Sequence, residues 1–466
     1  MGILDEIKKP KSEVVRRIFI KRRLKFTGKF EDTWLDITKD VTKFGRIKKT
    51  IDAKRPFKFK FSNFTFEVAN VSGAYNPHDN ESSLWYGYLN QQRTLVKVEV
   101  AFFNVDSTTA EYKFINEFPE TVVWDEAQWD APNSVFDAPG AAVFTGIISG
   151  DLGVGDSNKI KFNVKPLISV FEDYPASRLS GYASGGISAS TFIENMRDET
   201  DSAGEYVFRP FFGDTTTYWD ISATSNIYAN LDTSGSKDVL TRSCWQVIEK
   251  LSEAENFVPF VTGGGTFKFI SRDAVATAAA YEFHGAGSFS PTYGNTIKNI
   301  SDYGFKQTKY YSRVQIKYKE ENTATAYVTT ESDFKVGPAN NPWILGDRTL
   351  KIDNTFFGTA TVAQTAADSL FTDISALKNE LSFSTSLILG LDIFDRFSVY
   401  YDPTEVNGNS LWDIKDWSDG AAGNDAHLVW DKTDGEQIVL SGEEFKFLSY
   451  EIDLDRLENK FIAREL

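Results

Sequence analysis

A single cysteine, Cys244, stands in 466 residues. One thiol cannot build an internal disulfide framework or a cysteine-based zinc site, so neither kind of staple is expected. Histidine is nearly as scarce, at 3. His78, His284 and His427 fall in separate turn-like segments, and none has a second histidine three or four positions away. Metal sites and Ser-His-Asp triads need convergent members, and nothing local brings these together, so each histidine reads as a surface loop residue. Long apolar runs are missing too. None approaches the roughly 18 residues needed to cross a bilayer. The first 30 residues carry charges every few positions, which leaves no apolar stretch for a signal peptide. The expectation is a chain made in a cytoplasm, without stable membrane association.

What is present favours sheets. Phenylalanine is abundant at 38, and aromatic and β-branched residues pack well on pleated surfaces. The net charge of −16 hides an asymmetry: residues 1–60 hold 19 Lys and Arg against 8 Asp and Glu, and the remainder 31 against 58. So acidic a body repels nucleic acid. The basic stretch, with Lys8, Lys9, Lys11, Arg16, Arg17, Lys21, Arg22 and Arg23, could grip an acidic partner. A solvated flexible arm over residues 1–17 is the plainer expectation.

Along the chain, "PFKFKFSNFTFEVAN" alternates Phe57, Phe59 and Phe61 with lysine, the period of a half-buried strand. "NVSGAYNP" has turn chemistry, and "LVKVEVAFF" is the next strand. The texture changes near residue 181. "STFIENMRDET" offers Ser190 or Thr191 as a helix cap, and a second helix places Leu240, Cys244, Val247, Ile248 and Leu251 on one face. Gly263, Gly264 and Gly265 turn the chain into a strand. Beyond residue 299, strands resume around one helix near 360–376, whose Ala363, Ala367, Leu370 and Ile374 share a face. "NELSFSTSLIL" sets Leu381, Phe383 and Leu387 against serines.

One phrase recurs. KFNVKPL (Lys161 to Leu167) and KFIAREL (Lys460 to Leu466) share Lys, Phe, a basic fifth residue and Leu. Upstream of each lies a Trp-Asp segment in the same order of landmarks. Trp124, Trp129, Phe136 and Gly146 precede Phe162; Trp412, Trp417, Trp430 and Gly442 precede Phe461. Glycine to phenylalanine is 16 residues in one copy and 19 in the other. Matched landmarks in one order point to an internal duplication, and only two copies rule out a solenoid.

"WLDITKDVTKFGRIKKTID", "FEVANVSGAYNP", "SLWYGYLNQQRTLVKVEV" and "FTGIISG" resemble the opening barrel of tail hub proteins of tailed bacteriophages. "DVLTRSCWQVIEKLSEAENFVPFVTGGGTFKFISRD" is similar to the helix-plus-hairpin insertion of those hubs, and "KIDNTFFGTATVAQTAADSLF" with "LSFSTSLILGLDIFDRFSVYYDP" resembles their second barrel. The order of these weak motifs, over most of residues 30–466, carries the resemblance. It implies a mainly β chain with an α+β insertion: two tandem similar β-barrel domains at 18–180 and 299–466, and a smaller helix-and-hairpin domain at 181–298. It further implies a homotrimer whose six barrels form a pseudo-six-fold ring at the virion tail tip, assembled in the host cytoplasm. The implied partners are the tail tube or distal tail protein, the tape-measure protein and a tip spike or fibre, with DNA met only in transit through an acidic lumen. The long Trp-Asp segments and the basic start depart from that pattern, and no peptidase or lysozyme extension is expected after the second barrel.

No catalytic, metal or cofactor residues are expected. Asp125 with Asp130, or Asp413 with Asp416, could be cast as glycosidase carboxylates, but tandem copies favour structure over chemistry. Gly263 to Gly265 lack the Lys-Ser/Thr of a phosphate loop. Cys244 reads as a small core residue. The Trp-Asp segments and "NESSLWYG" could present aromatics to sugars, as a hexameric tail adaptor with a receptor-binding role would; buried packing is the preferred reading.

Overall fold

A computed structural model describes residues 13–52, 55–71, 73–76, 81–89, 93–105, 112–115, 121–122, 141–150, 158–213, 216–228, 231, 239, 241–271, 279, 281–286, 288, 296–305, 311–318, 326–331, 348–354, 356–375, 378–389, 391, 395–402, 438 and 440–466. The chain is mainly β, with two curled half-barrel sheets and few helices.

Strands come first: β1 (Glu13–Lys21), β2 (Leu35–Asp36), β3 (Val41–Lys43), β4 (Arg46–Asp52), β5 (Arg55–Phe61), β6 (Phe64–Ala69), β7 (Leu95–Val105), β8 (Tyr112–Ile115), β9 (Thr121–Val122), β10 (Ala141–Ile148) and β11 (Lys159–Pro166). The α+β stretch holds β12 (Ile187–Ser188), α1 (Ala189–Asp198), β13 (Trp219–Ile221), β14 (Ile227–Tyr228), α2 (Cys244–Glu255), β15 (Phe257–Val261) and β16 (Phe267–Ser271). Then follow β17 (Tyr281–His284), β18 (Ile297–Phe305), β19 (Arg313–Tyr318), β20 (Ala326–Glu331), β21 (Thr349–Asp353), α3 (Ala360–Ile374), β22 (Asn379–Ser386), β23 (Arg396–Tyr401), β24 (Leu440–Asp453) and β25 (Glu458–Glu465).

Local chemistry explains these elements. In β11, Ile160, Phe162 and Val164 point inward while Lys159, Lys161 and Asn163 face out. Helix α2 opens on a capping box, with Ser243 and Gln246 each bonding the other's backbone N–H, and closes on Asn256 in the left-handed region at φ 59°. Its Cys244, Val247, Ile248 and Leu251 are buried as the spacing predicts, whereas Leu240 lies outside the described residues. Helix α1 is capped two or three residues earlier than expected, at Ser188. The Ser188 hydroxyl accepts from Thr191 N–H, because Ser188 still has extended backbone while Ser190 and Thr191 are already helical. In α3 the face of Ala363, Ala367, Leu370 and Ile374 is buried. Gly263 to Gly265 form the turn between β15 and β16.

The sheets carry the duplication. Number six strands of each in chain order, taking β1, β3, β6, β7, β10 and β11 in one and β17, β18, β22, β23, β24 and β25 in the other. Both then read one, four, five, six, three, two across the sheet. Register agrees as well: Phe162 opposes Phe66 as Phe461 opposes Phe383. In each sheet the second strand shifts register against the third at the corresponding place, between Val41 and Lys43 and between Ile297 and Asn299. The fifth strand shifts against the fourth at Val143 and at Gly442. One pairing differs, since β1 runs antiparallel to β7 while β17 runs parallel to β23.

Strand pairing crosses the expected boundaries. The β4–β5 hairpin, from within 18–180, leaves the first sheet and pairs with β24 from Arg46↔Asp453 to Thr50↔Ser449. Strand β17, from within 181–298, lies in the second sheet. A ladder accepts whichever strand the chain brings alongside it, so these residues join by contact rather than by position. One hydrophobic core joins both sheets, with Phe66 and Phe162 in the same cluster as Phe383 and Phe461. A second joins the α+β stretch to β19–β21 and α3. There Asn354 donates to the Lys250 carbonyl at 2.8 Å and to the Glu253 carboxylate at 3.0 Å, tying α2 to the segment after β21.

Candidate assembly surface

The two sheets are pinned where the chain passes from β3 to β4. The Asp455 carboxylate accepts from the N–H groups of Phe44 (2.9 Å) and Gly45 (3.1 Å), and Leu454 N–H donates to the Gly45 carbonyl at 3.1 Å. Arg16 reaches the Leu454 carbonyl at 2.6 Å, with its guanidinium 4.6 Å from the Phe44 ring centre. Gly45 holds φ 75°, and a Cβ there would stand 2.1 Å from the Thr65 carbonyl oxygen, so only glycine fits. Beside this pin lies a cleft of about 530 Å³, lined by Lys43, Arg46 and Lys48 opposite Glu451, Asp453 and Asp455. Arg46 spans it to Asp453 at 2.9 Å.

The described part of the basic segment is not an arm. Residues 13–17, expected to be solvated, belong to β1, which pairs with β7 from Glu13↔Phe103 onward. Alternating Val14, Ile18 and Ile20 supply its inward face, and that burial outweighs the charges between them. Arg17 is buried. Arg22 forms a forked pair with Glu31, donates to the Leu84 carbonyl at 2.6 Å and covers the Tyr88 ring at 3.8 Å. Arg23 lies over Phe30 and Phe211, and burial pushes its pKa down. Lys21 stands 6.0 Å from the Trp34 ring centre. Lys8, Lys9 and Lys11 lie outside the described residues.

Phe162 and Phe461 occupy matching core positions. Phe162 stacks on Phe66 with centroids 4.9 Å apart, and Phe461 faces Phe383 at 5.0 Å. The glycine landmarks do not match in space. Pairing with the sixth strand sets Gly146 opposite Pro166 and Phe445 opposite Glu465, so Gly146 corresponds to Phe445 and Gly442 to Val143. That three-residue offset accounts for the spacings of 16 and 19. A Cβ on Gly146 would fall 2.3 Å from the Lys165 carbonyl oxygen, whereas Gly442 is the extra residue of a bulge. Trp124, Trp129, Phe136, Trp412, Trp417 and Trp430, with Asp125, Asp130, Asp413 and Asp416, lie outside the described residues; both segments fall in the sequence between a fourth and a fifth strand.

His284 corrects an expectation. It is buried in β17, stacked on Tyr400 at 4.7 Å, with Nδ1 2.8 Å from Ser288 Oγ. Strand β17 adds to the sheet beside β23, so the histidine rests against its parallel neighbour instead of in a loop. His78 and His427 lie outside the described residues. Cys244 is buried, and burial, then Glu199, push its thiol pKa well up. Among the described residues no group of three His, Cys, Asp or Glu could hold a metal ion, and no helix is long and apolar enough to cross a membrane.

Sequence reading missed one feature. The turn from Arg23 to Phe30 projects an apolar tip beside the loop at residues 84–89. Phe26 is 94% exposed, Tyr86 49%, Leu24 38% and Leu89 38%. Main-chain bonds lock the two together: Lys25 N–H to the Gly87 carbonyl (3.1 Å), Leu89 N–H to Arg23 (2.8 Å) and Leu24 N–H to Lys29 (2.8 Å). The "NESSLWYG" segment was expected to be buried, and Trp85 is, whereas Tyr86 is exposed; nothing in either sequence, some sixty residues apart, says that the two loops meet.

No family model matches the sequence, and no curated protein matches it. Solved structures do. A tail protein from Neisseria meningitidis MC58 is 10% identical over 97% of this chain and 96% of its own, with a TM-score of 0.47. The 43 kDa tail protein of prophage MuSo2 from Shewanella oneidensis is 11% identical over 96% and 98%, at 0.43. Prophage tail protein gp18 from Listeria monocytogenes EGD-e is 9% identical over 96% and 94%, at 0.42. Each of these three tail proteins is matched along nearly the whole of both chains.

Proposed function

We propose that this chain is a structural virion protein that forms a trimeric, pseudo-six-fold hub ring at the distal end of a phage tail, joining tail tube to tip. One observation carries the reading: two sheets of one chain share strand order, the register of their third and sixth strands and two corresponding bulges. Two like units held in one core let three chains present six similar surfaces to a six-fold tube, while the opposite face keeps three-fold symmetry for a spike or fibre. On this reading 18–180 and 299–466 are the two barrel domains, coupled by the β4–β5 hairpin, and 181–298 is the insertion. Tail tube or distal tail protein, tape-measure protein and tip protein are its partners. Its work is assembly, without bond chemistry. DNA crosses a lumen whose acidic wall repels it.

Native mass spectrometry of the assembled ring tests the stoichiometry. Three copies are expected; six would favour a hexameric distal-tail or baseplate adaptor with a receptor- or carbohydrate-binding role, and a stable monomer in the virion would end the proposal. For the conduit, lysine in place of lumen carboxylates should slow ejection, and unchanged ejection would count against it.

A further inference from the structure

A cavity of about 540 Å³ opens between the turn from Arg23 to Phe30 and the segment from Asp201 to Gly213. Its walls carry four cations, Lys21, Arg23, Lys29 and Arg209, and two carboxylates, Asp201 and Glu205. Most of these charges are already matched. Lys29 pairs with Glu205 at 2.8 Å, and Arg209 with Asp198 at 2.6 Å. Asp201 takes the N–H groups of Ala203 and Glu205 within its own turn, at 2.8 and 3.0 Å. Two cations remain. Among the described residues no carboxylate pairs with Lys21 or Arg23. The Arg23 guanidinium is set 4.8 Å from the ring centre of Phe30 and 5.2 Å from that of Phe211, and its Nε is sealed from solvent with no acceptor. Burial, then the neighbouring Arg93, push its pKa down. A half-buried cation is normally compensated by a carboxylate, and ring faces offset only part of the lost hydration. Folding alone supplies no reason for the charge, whereas an anion from outside does.

We propose that this cavity binds the phosphate group of a small organic phosphomonoester, held by Arg23 and Lys21. Two unmatched cations call for a doubly charged anion, and a phosphate monoester carries about 1.5–2 negative charges at pH 7, more than a carboxylate. The planar fork of arginine fits phosphate oxygens, and lysine adds a point charge. The cavity is larger than a bare phosphate, and Phe30, Tyr206 and Pro210 give apolar wall for the organic group. The site stands apart from the ring reading above, so either can fail alone.

Isothermal titration calorimetry of the purified full-length chain tests it, with phenyl phosphate, inorganic phosphate and benzoate as probes. Phenyl phosphate is expected to bind one per chain, more tightly than inorganic phosphate and at least tenfold more tightly than benzoate. Added salt should weaken it. Arg23→Gln should lower its affinity roughly tenfold or more, and Lys21→Gln by a smaller factor. Thermal unfolding separates binding from a purely structural role: phenyl phosphate should raise the melting temperature of the wild type and leave that of Arg23→Gln where it was. No binding by the wild type, benzoate binding as tightly, or undiminished affinity in Arg23→Gln would each overturn the assignment. Should Arg23→Gln fail to fold, Lys21→Gln decides in the same way, and unchanged affinity there overturns it equally.

Discussion

The Asp455 carboxylate holds the N–H groups of Phe44 and Gly45, partners 411 and 410 residues away in sequence. This contact binds the last strand pair of one sheet to the point where the chain leaves the other. It fixes the entry of β4 into the second sheet.

Asp455→Ala should therefore loosen the seam. Two charge-assisted bonds to backbone at a solvent-exposed position contribute about 1–2 kcal/mol. Urea unfolding should show that loss, with faster hydrogen exchange in β4. Protection of β4 equal to the wild type would refute the pin.

Gly45→Ala should be more damaging. Alanine is strained at φ 75°, and its Cβ would meet the Thr65 carbonyl oxygen at 2.1 Å. A loss of about 3 kcal/mol or more is expected from strain and displaced backbone, read as a lowered unfolding midpoint. Stability near wild type would show that the backbone here is freer than described.

If the two sheets are copies, Phe162→Ala and Phe461→Ala should behave alike. Each removes a buried ring at a matched position, at a cost of about 3–5 kcal/mol. A large cost at one and a negligible cost at the other, measured by chemical denaturation, would break the equivalence.

Asp198 sets an acid limit on α1. Hydrogen bonds from Arg197 and then Arg209 outweigh its desolvation and hold its carboxyl near a pKa of about 2, below the ordinary 3.8. A depressed folded-state pKa contributes stability at neutral pH that fades as pH falls from about 4 toward 2. Asp198→Asn should flatten that part of the acid-unfolding curve and leave neutral stability little changed, because the group is half exposed. An unchanged acid limb would refute the assignment.

Cys244 should resist alkylation at pH 8 in the folded protein and react at once in denaturant, because burial holds it as the neutral thiol. Fast labelling of native protein would contradict its place in the core.

Much of this molecule was legible in advance where the signal is local. Two-residue alternation marked β5 and β22, helical spacing marked α2 and α3, and the repeated phrase marked the closing strand of each sheet, because burial of one face constrains the residues that build it. Other features were written in no stretch of chain. The β4–β5 hairpin alternates like any half-buried strand, and nothing in that alternation says which sheet receives it. The true correspondence, Gly146 with Phe445, became visible only from strand pairing. Arg16 read as part of a solvated arm, and Arg22 and Arg23 as free to grip an acidic partner, until Leu454, Glu31, Phe30 and Phe211 came within reach. Hydrophobic period is a property of neighbours in sequence, so it determined the elements and their duplication. The partner of an edge strand, and the company of a guanidinium, depend on contacts between residues hundreds of positions apart, and those only the tertiary structure decided.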